Sequence, residues 1–425
     1  MELRFGMYHG EAMVKQADVV VIGSGIAGSA FAATAAKAGI DVVVLERQTA
    51  YRDKVRGELF HAWGVDEVIR LDLQDVLVAA GGTWITHILS YDEIVPPEMA
   101  EANPFPVAAV RPDVPGGMAV GHPQASQALA NAAEAAGAAL VRGIGDVVID
   151  AGPLPVVRYE LDDVEQEISC RLIVGADGRA SSVRRQLGIE FQQTEPLTMG
   201  GGILIAGLDM WPGGRVAIGS EGDLHYLVIP RADGTARLYQ MFDISQRGRF
   251  TGPDRQRELL DSYRMTCLPL GEDIATSTPA GPVGFYPFND SWTDSPCRPG
   301  VVLIGDAAGW SDPIIGQGLS IAMRDARMVA DVISSADDWS EAAFEGYVVE
   351  RAERMRRLRI SARLQTEMQC VFNDAGRQRR RALFSAFGDD PLLAAATFVT
   401  VVGGPDVAPA EAFTPDNIAR IMAIA

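Results

Sequence analysis

The 425-residue chain is poor in lysine. Only Lys15, Lys37 and Lys54 occur, so arginine carries nearly all the positive charge. Basic side chains number 37 against 56 acidic ones, a formal net charge of −19. That balance repels phosphate backbones and anionic lipid surfaces, so neither nucleic acid nor a membrane surface is an expected partner. Cysteine is scarce as well. Cys170, Cys267, Cys297 and Cys370 stand far apart with no C-x-x-C pair. This excludes the usual zinc and dithiol spacings, so no metal is expected. It also fits a reducing cytoplasm better than a disulfide scaffold. Long apolar runs are missing too. Met1 to Gln16 hold no apolar h-region of a signal peptide. Leu392 to Val402 falls short of the roughly 18 residues of a spanning helix and is stopped by Gly403-Gly404-Pro405. The expectation is a cytoplasmic protein without stable membrane insertion, either monomer or homodimer.

What is present is ample core material. Hydrophobic residues make up 48% and charged residues 22%, which rules out general disorder. The run Asp18-Val-Val-Val-Ile22 reads as a buried strand, Ser29 to Ala38 as an alanine-rich helix closed by Gly39, and Asp41 to Leu45 as a second strand. Together they make a β-α-β unit of about thirty residues. Short strands are expected from Trp84 to Leu89, a helix from Gln124 to Ala136, and strands at Ala139–Arg142 and Cys170–Val174. Residues 190–290 read as β-rich, Gly300 to Ile304 as a buried strand, and Gln317–Ser335 and Trp339 to about Met368 as helices. The fold class is α/β with a separate mostly-β region and a helical C-terminal part.

Gly23, Gly25 and Gly28 form G-x-G-x-x-G, with Ile26 and Ala27 between them. The first glycine permits the tight turn, the second lets a pyrophosphate approach, and the third lets helix and strand pack closely. Free N–H groups at the helix start suit phosphates. Glu46 ends the second strand, where a carboxylate can accept hydrogen bonds from both ribose hydroxyls. The unit binds an ADP moiety without by itself separating FAD from NAD. A second motif is Gly175-Ala-Asp-Gly-Arg-Ala-Ser-Ser-Val-Arg184. A third is Gly305-Asp-Ala-Ala-Gly-Trp-Ser-Asp-Pro-Ile-Ile-Gly-Gln-Gly-Leu319. Asp306 sits at a strand end, suited to the hydroxyls of a sugar-like chain. Pro313, Gly316 and Gly318 keep side chains off the backbone before a helix whose start favours negative charge.

In this order and spacing the three motifs resemble the FAD-dependent monooxygenases of the para-hydroxybenzoate hydroxylase fold, across the whole chain. The resemblance implies a Rossmann-type FAD-binding domain with an inserted mostly-β substrate domain and a helical C-terminal region. Residues 1–80, 121–190 and 291–338 would form the FAD-binding domain. Residues 81–120 would be joining strands, 191–290 the substrate domain, and 339–425 the C-terminal region. FAD would lie extended, with its ADP half on Gly23 to Gly28, Glu46 and Arg47. Its ribityl chain would lie near Asp306 and its ring near Pro313, Gly316, Gln317, Gly318 and Leu319. Arg56 matches the family's arginine after the second strand. His122 stands where the family usually has arginine or glutamine. Asp177, Ser181 and Arg184 match a segment linked to both FAD and NADPH. Gly309 and Ser320 depart from the common histidine and asparagine.

The resemblance implies transient NAD(P)H as co-substrate, O2, and oxygen transfer through a flavin C4a-hydroperoxide to a small, mostly apolar molecule. The expected molecule is aromatic or polyketide/terpenoid-like, and no side-chain nucleophile is expected. Residues 200–245 would wall the pocket, with Tyr226, Tyr239 and Met241 as candidate lining residues, though sheet packing is the commoner role for each. His61 and His225 are candidate acid–base groups, though such histidines are more often structural. The GDAAG-x-x-DP form also resembles geranylgeranyl reductases, so an alkene reductase is the alternative. Flavin-dependent halogenases share that form too. They carry a W-x-W-x-I-P motif and a lysine beyond the second strand; here no two tryptophans are two apart and no lysine follows Lys54. Arg56-Gly-Glu58 resembles squalene epoxidase. A non-catalytic FAD-bound assembly protein is a further alternative.

Overall fold

A computed structural model describes residues 15–208, 211 and 213–424. Most of the segment read for a signal peptide, residues 1–14, and positions 209, 210 and 212 of the expected pocket wall lie outside the described residues. The elements that build the site are, in chain order, β1 (Val19–Ile22), α1 (Ile26–Lys37), β2 (Val42–Glu46), α2 (Ala62–Arg70), α3 (His122–Ala135), β3 (Ala139–Arg142) and β4 (Leu172–Gly175). They continue with β5 (Thr198–Ala206), β6 (Arg215–Glu221), β7 (Leu224–Pro230), β8 (Thr235–Asp243), β9 (Gly284–Phe288), β10 (Val301–Leu303), α4 (Gly318–Ser335), α5 (Glu345–Gln369) and α6 (Asp374–Ala386).

A six-stranded sheet runs in the order Cys297–Arg298, β10, β4, β1, β2, β3. It is parallel except at its Cys297–Arg298 edge. Its central strands are buried on both faces, which is why they read as unbroken Val/Ile/Leu runs. Helix α1 packs between α3 and α4, and its alanines and glycine let those helices approach closely. Gly39, at φ +87°, ends it in the left-handed region that glycine adopts without strain.

The second large sheet has the order Thr278–Pro279, β5, β8, β7, β6, His87–Ser90, Phe105–Pro106, with β9 also pairing β5. One face of it buries Ile203, Ile205, Tyr226, Val228, Leu238 and Phe242 in a core shared with Leu259 and Ile274. Those two belong to the helices Arg255–Asp261 and Gly271–Thr276, which lie inside the stretch read as β-rich. Tyr226 therefore points away from the expected pocket; its hydroxyl donates to the Tyr91 carbonyl at 2.8 Å. The opposite face carries Leu227, Tyr239 and Met241 toward Trp63, Ile314 and α5. The period of two along β7 and β8 makes this division.

The C-terminal apolar stretch forms Pro391–Ala394, a π-helical turn Ala395–Val399, and Thr400–Gly403. Leu393 and Ala396 are fully buried, within a cluster that includes Leu364 of α5 and Leu383 of α6. Among the described residues no single helix is long and apolar enough to cross a membrane. Asp374–Ala386 and Pro391–Gly403 pass that test only together, across a 112° bend.

A buried ionic network joins the two sheets. Glu58 lies between Arg231, whose Nε donates at 2.9 Å, and Arg237, whose Nη2 donates at 2.9 Å. Arg237 Nη2 also donates to Asp53 at 2.6 Å. Two acids face two bases, and removing one charge strands the others away from water. Glu58→Gln is therefore expected to cost about 3–5 kcal/mol of unfolding free energy. The measurement is the urea unfolding midpoint, which should fall with an unchanged slope.

Candidate functional site

The three glycine-bearing segments meet at the carboxyl ends of β1, β4 and β10. Gly23 has φ +100°, and a Cβ there would sit 2.6 Å from the Ala176 carbonyl oxygen. A Cβ on Gly28 would lie 2.0 Å from the Gly23 oxygen. One on Gly305 would lie 2.9 Å from the Ala27 Cβ. So Gly23, Gly28 and Gly305 are required by close backbone approach within the fold. Gly25 and Gly318 differ, because a Cβ on either meets nothing within 4 Å. Their missing side chains leave open approaches to the starts of α1 and α4, whose first N–H groups have no intrahelical partner.

Glu46 ends β2, nearly buried at 7% exposure. One carboxylate oxygen accepts from Ser24 N at 2.7 Å and Ser24 Oγ at 3.0 Å, and the other from Gln48 N at 2.7 Å. The oxygen that accepts only from Gln48 N retains accepting capacity for a ribose hydroxyl. Asp306 is half-buried, with Arg179 Nε at 3.3 Å, and Arg179 in turn lies over the Trp310 ring. This donor and acceptor set, with two open glycine approaches, fits the ADP and polyol portions of FAD.

The turn Pro313–Ile315 is held from three sides. The Asp312 carboxylate accepts from Ile314 N at 2.9 Å. His61 Nε2 lies 3.1 Å from the Ile315 carbonyl, and Gln317 Nε2 donates to the same oxygen at 2.5 Å. Gly316 completes the turn at φ +61°. Burial drives the His61 imidazole down to a pKa of about 4, so it is neutral at pH 7. His225 is likewise pushed down to about 3 by burial, with the Arg380 charge adding to the effect. Neither imidazole is charged near neutral pH.

Other sequence-derived candidates fall into different places. His122 Nδ1 lies 3.1 Å from the Gly57 carbonyl, and burial lowers its pKa against the pull of Glu58 and Asp306. Arg56 stands over the Tyr286 ring, and its carbonyl accepts from the Tyr239 hydroxyl at 2.6 Å. Asp177 caps the helix Ser182–Gln186, accepting from Ser182 N at 2.6 Å and Val183 N at 3.2 Å. Arg47 stands apart, 71% exposed, with only Asp146 at 3.5 Å. Ile26, Ala27 and Leu319 are buried in the main core. The Gln317 side chain turns away from the open approach at Gly318. It accepts from Trp63 Nε1 at 2.7 Å and donates to the Val401 carbonyl at 3.0 Å, tying the turn to the C-terminal region.

Trp63, Gly200 and Asp290 were not singled out in the sequence, and Glu58 stood there only within the Arg56-Gly-Glu58 segment. A Cβ on Gly200 would lie 2.0 Å from the Phe288 ring, so this glycine makes room for Phe288 in the apolar cluster that also holds Met241. The run Met199-Gly-Gly-Gly202 inside a strand was the available signal. Asp290 accepts the Asp312 N–H at 2.9 Å. Burial raises its pKa to about 7, with Asp312 adding repulsion; Asp312 itself is raised to about 6 by burial.

A profile of the FAD binding domain family matches residues 16–359. The chain belongs to this family. It is an FAD-dependent oxidoreductase. Among curated relatives, digeranylgeranylglycerophospholipid reductase 2 of Methanothermobacter thermautotrophicus is 26% identical, over 88% of this chain and 89% of the relative. Squalene epoxidase 2, mitochondrial, of Arabidopsis thaliana is 24% identical over 74% of this chain and 54% of its own length. Among solved structures, p-nitrophenol 4-monooxygenase from Pseudomonas putida superposes with a TM-score of 0.73 at 18% identity, covering 93% of this chain and 99% of the other.

Two outcomes are expected. Gly28→Val forces a side chain against the Gly23 carbonyl, so the purified variant should lack flavin absorbance. Asp290 is protonated in the folded chain and ionised in the unfolded chain between about pH 4 and 7. Its stabilising contribution is therefore present at low pH and lost as pH rises through about 7. Melting temperatures from pH 5 to 8 should fall less in Asp290→Asn than in the parent.

Proposed function

We propose that the protein is a monooxygenase that uses FAD, NAD(P)H and O2 to hydroxylate or epoxidise a small, mostly apolar molecule. The observation that carries this reading is the apolar cluster that the β7–β8 face forms with the Pro313–Ile315 turn. Trp63, Met241, Phe288, Ile314, Ile315, Met355 and Leu358 are buried in it, with Leu227 packed against them. FAD, when bound, would supply the redox chemistry between NAD(P)H and O2.

The chain's own part is to bind, orient and exclude water. Trp63 is fully buried in the apolar cluster. Its indole N–H is spent on Gln317, so it presents an apolar ring without an unmet donor. The Tyr239 hydroxyl is spent on the Arg56 carbonyl, and burial raises its pKa far above neutrality. The Cys370 thiol is likewise held protonated by burial. No activated nucleophile belongs to this cluster among the described residues, which suits a reaction whose redox chemistry a cofactor would supply. The N–H groups opening α4 would favour negative charge on a reduced ring bound against them.

The digeranylgeranylglycerophospholipid reductase relative and the Gly305–Gly309 sequence favour a second reading, reduction of an isoprenoid alkene without oxygen. The two separate by product mass under 18O2. One labelled oxygen atom in the product supports the monooxygenase, and gain of two hydrogens without oxygen supports the reductase. Anaerobic mixing with NADPH or NADH should bleach the flavin. Absence of bleaching with both nucleotides, with and without apolar candidate substrates, would require a separate reductase. Leu227→Glu places a charge on the apolar wall and should raise KM for an apolar substrate by at least about tenfold, the equivalent of about 1.4 kcal/mol. FAD content should stay unchanged.

A further inference from the structure

Asp325, on α4, is fully buried, and Arg351, on α5, is 2% exposed. Arg351 Nε donates to Asp325 Oδ2 at 3.0 Å. Its Nη1 donates to the Ala308 carbonyl at 2.9 Å, and its Nη2 to the carbonyls of Gly309 at 2.9 Å and Gly305 at 3.3 Å. Asp325 Oδ2 also accepts the Gly305 N–H at 2.8 Å. One buried ion pair thus grips both ends of the turn that bears Asp306.

The neighbouring groups complete the grip. Arg354 Nη2 donates to Asp325 Oδ1 at 2.7 Å, and its Nε to Glu350 at 3.0 Å. Tyr347 donates its hydroxyl to the Leu303 carbonyl at 2.8 Å, at the end of β10. Tyr347, Arg351 and Arg354 follow the i, i+4, i+7 spacing of one helical face. The two flanking arginines hold the Asp325 carboxyl below its ordinary pKa, against the effect of burial.

The turn needs such a device. Gly305 and Gly309 both adopt positive φ, at +58° and +120°. The Gly305 carbonyl accepts the Ala308 N–H at 3.0 Å, and Arg351 adds a donor to it and to the carbonyls of Ala308 and Gly309. A buried carbonyl without a donor is costly. The planar fork of arginine serves a carboxylate and several carbonyls together, which a lysine ammonium at the end of a flexible stem cannot.

We propose that Asp325 and Arg351 are a positioning pair for the cofactor: they fix the Gly305–Gly309 turn so that Asp306 faces the polyol chain of FAD. The proposal rests on reading Asp306 as that contact. It couples FAD affinity to a helix of the C-terminal half, 46 residues from the turn it holds.

The test is the FAD dissociation constant, read from flavin fluorescence as the purified holoenzyme is diluted. Arg351→Lys, Asp325→Asn, Asp306→Ala and the double variant Asp306→Ala/Arg351→Lys are compared, with circular dichroism as the fold control. Arg351→Lys and Asp325→Asn should each weaken FAD binding by about tenfold or more, equivalent to about 1.4 kcal/mol, while retaining the parent's dichroism. The double variant should lose much less than the product of its single losses, because Arg351 acts through Asp306. Unchanged affinity in Asp306→Ala would overturn the reading of Asp306 and the pair with it. Weakened binding in Asp306→Ala, with unchanged affinity or purely multiplicative losses in the other variants, would overturn the pair alone. If Arg351→Lys does not fold, the same comparison is made with Asp325→Asn and its double variant.

Discussion

Glu58 sits at 1% exposure between two arginines of the second sheet, and the position of everything above the cofactor turn depends on it. A carboxylate in such a place is tolerable only when its charge is fully met. Meeting it draws β8 and the start of the β7–β8 hairpin onto the loop that follows β2. The Tyr239 hydroxyl then reaches the Arg56 carbonyl, and Arg237 reaches Asp53. The apolar face of β7 and β8 is thereby held at a fixed height over Pro313–Ile315.

A second constraint acts among the glycine turns. The glycine segments come from three distant parts of the sequence, yet they pack together. The Ala176 backbone lies against Gly23, and the Ala27 methyl against Gly305. Contact at this distance leaves the turns little freedom to shift independently. Helices α4 and α5 extend the same rigidity to the Asp306 turn through Asp325 and Arg351. Gln317 carries it onward to Trp63 and Val401. The C-terminal region therefore shares hydrogen bonds with both the Asp306 turn and Gln317, and it is part of the site's architecture.

Charge is used in two different ways across the molecule. Arg356 and Glu353 on α5, both 43% exposed, pair as a solvated face would. Other arginines, such as Arg237, Arg351 and Arg380, are buried and each holds two segments together. Composition alone does not separate the two uses. The scarcity of lysine is consistent with the second, since a guanidinium can satisfy several buried acceptors at once and an ammonium cannot do so in one plane.

Local chemistry made much of this legible in the sequence. Val19–Ile22 and Val42–Glu46 declared themselves as buried strands because every residue was apolar until the terminal acid. The glycines between them admitted only a tight turn, and FAD followed from the order of three motifs. Other features depend on partners far along the chain. Tyr226 and Tyr239 look alike in sequence, yet strand alternation and sheet pairing send one into a helix-covered core and the other toward the cofactor loop. Asp325 carried no local mark, and Glu58 and Gly200 were marked only by the Arg56-Gly-Glu58 segment and the Met199–Gly202 run, because what all three do is defined by Arg351, Arg237 and Phe288, which only folding brings beside them. The sequence by itself determined the central buried strands and the glycine turns beside them, since those follow from neighbours a few residues away, and it carried three motifs whose order resembles an FAD-binding family. The tertiary structure alone decided which face of β7 and β8 is covered by helices and which meets the Pro313–Ile315 turn, because burial and charge pairing are set by contacts across the whole chain.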